Sequence, residues 1–519
     1  MGLMKISTYH KRRGDSVCFY KGVMEESAFI KGAYDRVYIT SMFTFHYDIT
    51  VKTLNAYQEM SSPNKIFIGG IMASLMKDRL IVEVDEEVTI LTGLLIDSEA
   101  IGFDDHTNID VLPLDYSILD DTSFKYGAGD NYFAYVSRGC TNKCMFCAVP
   151  ILEPEFCLTN HIVEQIATII SEFGEKQNLL LLDNNILSFS PSELKTVIND
   201  IKSLGFDKNT KFYPELPLIG YMRKLYLYEK DTPRHNNVLA ELLDYLHEKQ
   251  NTKKSKNYQA KYSQLIFSLS TQEDKFAFIL QNYDAFHEIL GYYHKPVGRR
   301  RAVDFNQGID ARQLTEEKMA ILAQIPIEPF RLAFDAIRYK DIYIRAVNIA
   351  IKYGIKQFSN YILFNFEDTP DDLWKRLQIN IELAKENNIK IFSFPMKYAP
   401  VDRTDRTFVG KYWNRYYLSN LSAILNVTKG IVADGESFFY KAFGKDIGEF
   451  YEILSMPREF VTYRSYFEAT GQADEWKKCF YSLSPLDKNE LINALCEKRE
   501  SANKKVAKTL QFYKIKKNT

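Results

Sequence analysis

A single cysteine motif constrains this chain more than any other feature. The run SRGCTNKCMFCA at residues 137–148 places Cys140, Cys144 and Cys147 in a C-x3-C-x2-C array. A ferredoxin-type site uses four cysteines and saturates its cluster. Three thiolates on one short loop can instead bind three irons of a cubane cluster. No fourth cysteine follows in the run, so the spacing predicts a cluster with one iron open to another ligand.

The residues around the motif indicate a loop that leaves a strand. Residues 132–136 predict the strand, Arg138-Gly139 lets the chain turn, and Phe146 puts an aromatic ring beside the last cysteine. Two alternatives stay open, a zinc site completed by a distant histidine and buried cysteines that act as small hydrophobes. Zinc sites usually contain paired C-x2-C knuckles, so the spacing favours the cluster. The remaining cysteines are scattered singly: Cys18, Cys157, Cys479 and Cys496.

The loop at residues 140–147 resembles the C-x3-C-x-aromatic-C loop of the radical S-adenosylmethionine (radical SAM) superfamily. In that family the amine and carboxylate of SAM bind the open iron, and reductive cleavage yields a 5'-deoxyadenosyl radical. The resemblance implies a 4Fe-4S cluster on Cys140, Cys144 and Cys147, with SAM beside Phe146. It also implies an electron donor such as flavodoxin or ferredoxin.

Strand and helix signals alternate through residues 126–400, and the resemblance implies a partial (βα)6 barrel with catalytic groups at the carboxyl ends of its strands. It implies that Asp183 and Asn184 receive the SAM amino group, although Asp and Asn also favour caps and turns. Arg312 would pair with the SAM carboxylate, and Asp335 would face the ribose or the methionyl end. The predicted strands are 132–136, 178–183, 302–306, 330–335, 358–364 and 389–394.

Two regions lack this alternation. Residues 212–298 predict a helical insertion in the barrel, of a kind that commonly caps an active-site mouth. Within it we interpret 253–256 as an exposed basic loop, and at its end 299–301 as a solvated turn. Residues 401–519 predict a helical C-terminal region, whose basic tail from Lys498 should fray.

Residues 1–125 alternate strands (16–20, 36–40, 65–68) with helices, which predicts a doubly wound, Rossmann-like parallel sheet. Such sheets bind ligands beyond the carboxyl ends of their strands. The chain is therefore expected to be α/β, with this domain first, the barrel second and the helical region last.

The N-terminal region resembles the cobalamin-binding domain of one radical SAM class. Gly69-Gly70 followed by Ala73-Ser74 matches its G-G-x-x-A-S/T loop, and LPLDYS at 112–117 matches its linker. The resemblance implies a cobalamin site at Gly69, Gly70 and Ser74. Two departures leave bound cobalamin open: the first strand is missing ahead of the helix at residue 4, and there is no D-x-H-x-x-G. The nearest imidazole, His46, is interpreted as a polar loop residue.

Composition narrows the partners. The 519 residues suit two to four domains. A net charge of -1 gives no reason to expect a nucleic-acid partner. Seven cysteines without a disulfide framework indicate a reducing cytoplasm. No apolar stretch approaches the roughly 18 residues of a membrane span, and the first ten residues lack the apolar core of a signal peptide.

The resemblance implies an enzyme that cleaves SAM reductively and drives radical chemistry, with cobalamin-dependent methylation as one version, on a substrate that the sequence does not specify. One alternative is a radical SAM enzyme that has kept the N-terminal fold and lost the corrin. A methylthiotransferase relative would carry a second cysteine-bound cluster, but Cys18 is the only cysteine before Cys140. The last alternative is a protein that binds an iron-sulfur cluster for redox sensing or electron transfer without catalysis. Such a protein has no need of polar groups at the strand ends.

Overall fold

The computed structural model describes residues 1–517 apart from 123, 125, 127–130, 160, 231 and 252–254. The strands of this part are β1 Val37–Thr40, β2 Ile66–Gly69, β3 Thr89–Ile90, β4 Asn131–Ala134, β5 Ser137–Arg138, β6 Cys157–Leu158, β7 Asn178–Leu181, β8 Lys211–Phe212, β9 Arg299–Arg300, β10 Val303–Phe305, β11 Phe330–Ala333, β12 Gln357–Phe364 and β13 Lys390–Lys397. Helices before the second half of the chain are α1 Gly2–Arg12, α2 Glu26–Gly32, α3 Tyr47–Met60, α4 Ile71–Leu75, α5 Lys77–Glu83, α6 Val149–Leu152, α7 Ile162–Phe173, α8 Pro191–Ser203, α9 Pro217–Leu227, α10 Pro233–Gln250, α11 Lys256–Ser270, α12 Lys275–Gln281 and α13 Tyr283–Tyr293. Those that follow are α14 Glu316–Leu322, α15 Lys340–Lys352, α16 Pro370–Asn387, α17 Arg415–Val427, α18 Glu436–Phe443, α19 Ile447–Ser455, α20 Arg458–Thr462, α21 Arg464–Ala469, α22 Gln472–Tyr481, α23 Pro485–Glu497 and α24 Lys504–Leu510.

The central part is a mixed α/β structure built on parallel strands. One parallel sheet has the order β4-β7-β10 and a second has the order β11-β12-β13. A parallel bridge between Ile309 and Leu332 joins them. Helices α7, α8, α14, α15 and α16 connect successive strands. The expected alternation of strands and helices is therefore present, and all these strands point their carboxyl ends to one edge.

Local sequence sets where the connecting helices begin. Ser190 and Thr369 each form a capping box with the carboxylate three residues on, and a proline occupies the first turn of both α8 and α16. The inward faces of the strands and helices then pack as one hydrophobic core. This core holds the carboxyl ends of the strands in place.

The helical insertion lies at the opposite end of these strands. It leaves the chain after α8 and returns before β10, through the antiparallel pair β8 and β9. A helix-to-strand connection lies at the amino ends of parallel strands, whereas active sites collect at the carboxyl ends. The expectation that the insertion caps the mouth is therefore wrong. Its helices α9–α13 instead bury a hydrophobic cluster of their own.

The basic segments of the insertion also differ from expectation. Arg301 is 4% exposed, and its guanidinium donates to the carbonyls of Lys176, Gln177 and Gly205. The prediction of a solvated turn at 299–301 is wrong for this residue, because the turn packs against the start of β7. Of the predicted basic loop 253–256, residues 253 and 254 lie outside the described residues, and Lys256 begins α11.

His235 in α10 is a buried polar residue that lowers the stability of the fold. It is 2% exposed, its ring packs edge-on against Phe276, and neither ring nitrogen has a hydrogen-bond partner among the residues that the structure describes. A buried polar group without a partner costs roughly 1–3 kcal/mol. We therefore expect His235→Leu to raise the thermal midpoint of the chain by about 2–4 °C. The exposed His247 of the same helix is the matched control: His247→Leu should leave the midpoint unchanged, and an equal effect of both variants would contradict this account.

The N-terminal region forms a three-stranded parallel sheet in the order β1-β2-β3. Ile66 and Ile68 of β2 pack on one side with α3, and Phe67 packs on the other side with Tyr9 of α1. Both faces are covered, as in a doubly wound sheet. The predicted strand at 16–20 is wrong, because this segment pairs with no sheet and the Phe19 N–H donates to Asp121 Oδ2 at 2.8 Å.

The C-terminal helices α17–α24 share one hydrophobic cluster that includes the fully buried Trp476. The apolar residues of the basic tail pack against this cluster. Val506 in α24 is fully buried, and the Tyr513 hydroxyl donates to the Ser455 carbonyl at 2.6 Å. The expected fraying after Lys498 is therefore wrong, because apolar residues alternate with the lysines. In the part of the chain that the structure describes, no helix has both the length and the apolar character needed to cross a bilayer.

Candidate functional site: a three-cysteine loop

The cysteine loop starts at the carboxyl end of β4, where the chain forms the short antiparallel pair β5 and β6. Gly139 has a φ of +73°, and a Cβ at this position would overlap the Glu155 carbonyl oxygen. Only glycine fits this close approach of two backbone segments without strain. The turn fixes the direction in which Cys140 leaves the sheet.

Each of the three half-buried thiols has one N–H donor nearby. The backbone N–H of Asn142 donates to Cys140 Sγ at 3.4 Å, and that of Val149 donates to Cys147 Sγ at 3.4 Å. The Arg312 guanidinium reaches Cys144 Sγ at 3.9 Å. Such donors stabilise thiolates, which are the form that binds metal.

The pKa of the Cys147 thiol lies above its ordinary value. Burial is the main cause, the negative charges of Cys144, Cys140 and Asp335 add to it, and the Val149 N–H opposes it. Three thiolates held together with a carboxylate therefore repel one another. A cationic centre among them would remove this repulsion.

The spacing of the sulfurs bears on which metal fits. A tetrahedral zinc with Zn–S distances near 2.3 Å would hold its sulfurs about 3.8 Å apart. The three cysteine sulfurs do not all lie within 4.8 Å of one another. A cubane cluster presents each iron at a separate corner and takes a wider set of ligands. The donor set therefore fits a cluster better than a single zinc ion.

Another group that does meet the narrower spacing is Asp97, Glu99 and His106. Its carboxylate and imidazole already contact each other, with Asp97 Oδ2 at 3.1 Å from His106 Nδ1, and Asp97 also accepts from the Glu99 N–H. These contacts account for the group as a capped turn.

Glu153 connects the loop to the neighbouring strand. Its Oε2 accepts from the Gly139 N–H at 2.7 Å and from Asn184 Nδ2 at 2.8 Å. Its Oε1 accepts from Arg138 at 3.3 Å, and Arg138 in turn forms a bidentate pair with Asp110. Asn184 thus lies beside the loop as expected, with its amide donating to Glu153. Its role toward SAM stays a prediction.

Asp183 accepts hydrogen bonds from the turn that leads into the cysteine loop. The neighbouring strands β4 and β7 bring its carboxylate under the turn that follows β4. There it accepts from Ser137 N at 2.5 Å, Ser137 Oγ at 2.6 Å and Val136 N at 3.1 Å. Burial raises the pKa of Asp183 to about 6, against these donors. The carboxylate is only 3% exposed and supports the turn before the cysteine loop, and its role toward the SAM amino group stays a prediction.

Arg312 lies at the cysteine loop, and its guanidinium already forms a bidentate pair with a carboxylate of the chain. Its Nε and Nη2 donate to the two carboxylate oxygens of Asp310 at 2.9 and 2.8 Å. Asn142 Nδ2, from the cysteine loop, donates to the same Asp310 at 2.8 Å. The pair lowers the pKa of Asp310 against the opposing effect of burial. The predicted contact with a SAM carboxylate stays a prediction.

Asp335 follows β11 and comes close enough to the loop to raise the pKa of Cys147. Burial raises the pKa of Asp335 itself to about 6, whereas Arg376 and Arg312 lower it. The fully buried Arg376 holds this segment by donating to the carbonyls of Phe334 and Asp335, both at 2.9 Å. Asp335 is therefore a carboxyl group whose protonation can change near neutral pH, and its role toward the ribose or the methionyl end of SAM stays a prediction.

Phe146 begins a run of aromatic contacts that leads away from the loop. The ring centroids of Phe146 and Phe366 are 5.8 Å apart. Those of Phe366 and Tyr398 are 4.7 Å apart, and those of Tyr398 and Phe408 are 5.5 Å apart. The run follows the carboxyl ends of β12 and β13. It gives one wall of the site an aromatic surface.

The residues predicted to bind cobalamin contact other residues of the N-terminal domain. Gly70 has a φ of +92°, and a Cβ there would overlap Thr40 Oγ1 of the adjacent strand. Ser74 Oγ donates to the Gly70 carbonyl at 3.0 Å and accepts from Gly93 N at 2.9 Å. A Cβ on Gly69 would lie 3.3 Å from Leu91, and the His46 ring packs 4.6 Å from Phe45. All of these residues thus have contacts within the domain, and their role toward cobalamin stays a prediction.

Sequence reasoning missed four residues that shape the site: Asn142, Glu153, Asp310 and Arg376. Only Asp310 had a signal, because it lies two residues before the predicted Arg312 at a strand end. The roles of the others depend on which strands become neighbours.

No protein-family model matches the chain, and no curated protein matches it. Among solved structures, one match is the radical S-adenosylmethionine methyltransferase TsrM from Kitasatospora setae with cobalamin and a 4Fe-4S cluster bound. The sequence identity is 11%, the alignment covers 72% of this chain and 67% of that chain, and the TM-score is 0.36. A score this low does not define a common fold, so the function must be argued from the residues of this chain.

The Glu153 contacts yield a prediction for the iron-free chain. Glu153→Ala removes a charge-assisted acceptor worth about 1.5–3 kcal/mol, so the loop should open more often. We expect alkylation of Cys140 by iodoacetamide, followed by mass spectrometry, to become roughly ten times faster or more. Glu153→Gln keeps an acceptor and should restore most of the protection. The exposed neighbour is the control, and an equal gain in Glu155→Ala would contradict the assignment.

Proposed function

We propose that this chain is a radical SAM enzyme that binds a 4Fe-4S cluster through Cys140, Cys144 and Cys147. The observation that supports it best is the three-thiol loop at the carboxyl ends of parallel strands, with one N–H donor for each sulfur. When bound, the cluster would supply one electron to the sulfonium of SAM, which breaks a C–S bond and gives methionine and a 5'-deoxyadenosyl radical. An external donor of the flavodoxin or ferredoxin class would supply that electron.

The protein's own residues would bind and orient these groups. Asn142 and Val149 would donate to thiolate sulfur through their backbone N–H groups, and Arg312 would offset the negative charge at Cys144. Asp335 would hold a proton or accept a hydroxyl beside the loop. Phe146 and the aromatic run behind it would keep water from a reactive carbon radical.

The proposal includes the predicted domain plan. Residues 126–400 would form the partial (βα)6 barrel, with 212–298 as an insertion at the amino ends of its strands. Residues 1–125 would form the Rossmann-like domain, and 401–519 the helical region. The cobalamin version is not part of this proposal, because Gly69, Gly70 and Ser74 are all accounted for by contacts inside the domain.

Anaerobic reconstitution with iron and sulfide tests the proposal. We expect about four irons per chain, an electron paramagnetic resonance spectrum that changes when SAM is added, and 5'-deoxyadenosine after reduction with dithionite. Zinc without iron, or a spectrum indifferent to SAM, would overturn it. A cluster that forms but yields no 5'-deoxyadenosine would favour the non-catalytic redox protein instead.

A further inference from the structure

Two sets of strand ends face each other in this molecule. Helix α4, which follows β2, packs against α6, which follows the last cysteine. On the other side, Arg79 Nη1 donates to Thr404 Oγ1 at 3.2 Å, and the Arg406 guanidinium lies 4.2 Å from the centroid of Phe45. The carboxyl ends of the N-terminal sheet are thereby brought against the carboxyl ends of the central strands, beside the cysteine loop.

Large apolar side chains are exposed along both of these edges, and we call them the apolar rim: Met42, Phe43, Ile71, Met145, Ile151 and Met396. Each is between 42% and 75% exposed. Exposed apolar groups that gather at one place usually mark a binding site. Half of the rim is methionine, whose flexible side chain adapts to ligands of irregular shape. The rim therefore suits an apolar ligand that reaches the cysteine loop.

Unpaired positive charge lies at one end of the rim. Lys397, Arg403 and Arg406 follow β13, and none of them forms an ion pair with any described residue. Lys397 Nζ donates to the Arg406 carbonyl at 2.8 Å. The Arg406 guanidinium also acts on the Lys397 ammonium, so the two cationic groups lie near each other.

Asp405 acts on both Lys397 and Arg403, so the acidic residues of this segment offset these cations only in part. Asp405 accepts from the Thr407 N–H at 2.7 Å, and Asp402 acts on Tyr398. Burial is the main cause that lowers the pKa of Lys397, the nearby Arg406 adds to it, and Asp405 opposes both. An anionic group placed between Lys397 and Arg406 would relieve their repulsion.

We propose that the apolar rim and these cations bind one small amphipathic molecule, with an apolar body and an anionic end. Its body would lie on Phe43 and Met396, and its anionic group on Lys397 and Arg406. The inference rests on the proposed function, because it supplies the class of substrate for the cysteine site. A nucleic acid would need a longer basic track than the three cations here.

The probe is 1-anilinonaphthalene-8-sulfonate, which joins an apolar body to a sulfonate, added to the full chain without iron or SAM. We expect one saturable site, weakened about tenfold in Phe43→Ser/Met396→Ser and about tenfold in Lys397→Gln/Arg406→Gln, equivalent to about 1.4 kcal/mol each. All these side chains are exposed, so the variants should fold. Decanoate should displace the probe, and decyltrimethylammonium should not.

Matched controls keep this test decisive. Leu486→Ser and Lys516→Gln alter an exposed apolar and an exposed cationic side chain of the C-terminal region, and both variants should bind the probe as the unaltered chain does. Unchanged binding in the rim variants, or equal displacement by decyltrimethylammonium, would overturn the inference. Displacement by hydroxocobalamin would overturn it too, since the rim would then be a corrin surface. Because no cluster is present, none of these outcomes depends on the iron and SAM results.

Discussion

Cys144→Ser should abolish assembly of the cluster while the chain stays folded. Reconstituted Cys144→Ser should retain well under half of the iron of the unaltered chain and give no 5'-deoxyadenosine, because a serine hydroxyl does not ionise near neutral pH and is a poor ligand for iron. Serine is nearly the same size as cysteine, and Cys144 is only half-buried. The thermal midpoint of the iron-free chain should therefore move little. Iron content, the resonance spectrum and product analysis check each part.

The chain offers a control close to the loop. Cys157 lies on β6, which pairs with the strand that leads into the motif, and its side chain is exposed. Cys157→Ser should keep its iron and its response to SAM. If Cys157→Ser lost iron as Cys144→Ser does, cysteine in general and not the C-x3-C-x2-C set would be the requirement. Full iron in Cys144→Ser would refute the assignment of the three ligands.

The parts of this fold that sequence could predict are those set by local pattern. Buried parallel strands are near-continuous apolar runs, so 178–183 could be recognised, and it forms β7. The cysteine motif is local in the same sense, because its residues share one loop whatever surrounds it. Alternation failed at 16–20, where a strand-like pattern has no neighbouring strand to pair with.

Contacts that the sequence does not reveal depend on partners far away in the chain. The pairing of β4 with β7 puts two backbone N–H groups over Asp183, which its place after a strand does not indicate. Arg301 was read as solvated, yet the packing of the turn supplies three carbonyls. The insertion is an exception, because its place before a strand already puts it at the amino ends of the strands, and the prediction that it caps the mouth overlooked this order of elements. Residue type narrows what a side chain can do, and strand order decides which partner it meets.

Arg376→Met should have the largest effect on stability of any single change outside the loop. Arg376 is fully buried; its Nη2 donates to Asp368 Oδ2 at 3.0 Å, and its Nη1 to the carbonyls of Phe334 and Asp335. Burial lowers the pKa of Arg376, against the attraction of Asp368, Asp335 and Asp372. Removing one partner of a buried pair leaves an uncompensated charge and costs about 3–5 kcal/mol. Hydrogen exchange should rise at 333–336 and 365–369, the two segments that Arg376 joins.

The second half of the pair separates charge from packing. In Arg376→Met/Asp368→Asn the orphaned carboxylate is gone, so part of the lost stability should return, although the Phe334 and Asp335 carbonyls still lack their donor. Lys375→Met removes an exposed cation one position earlier on α16 and should change the free energy of unfolding by less than about 0.5 kcal/mol. If Arg376→Met resembled Lys375→Met, the guanidinium would not hold the end of β11. If only Arg376→Met loosened that segment, the position of Asp335 beside the cysteine loop would depend on a buried cation that no feature of the sequence revealed.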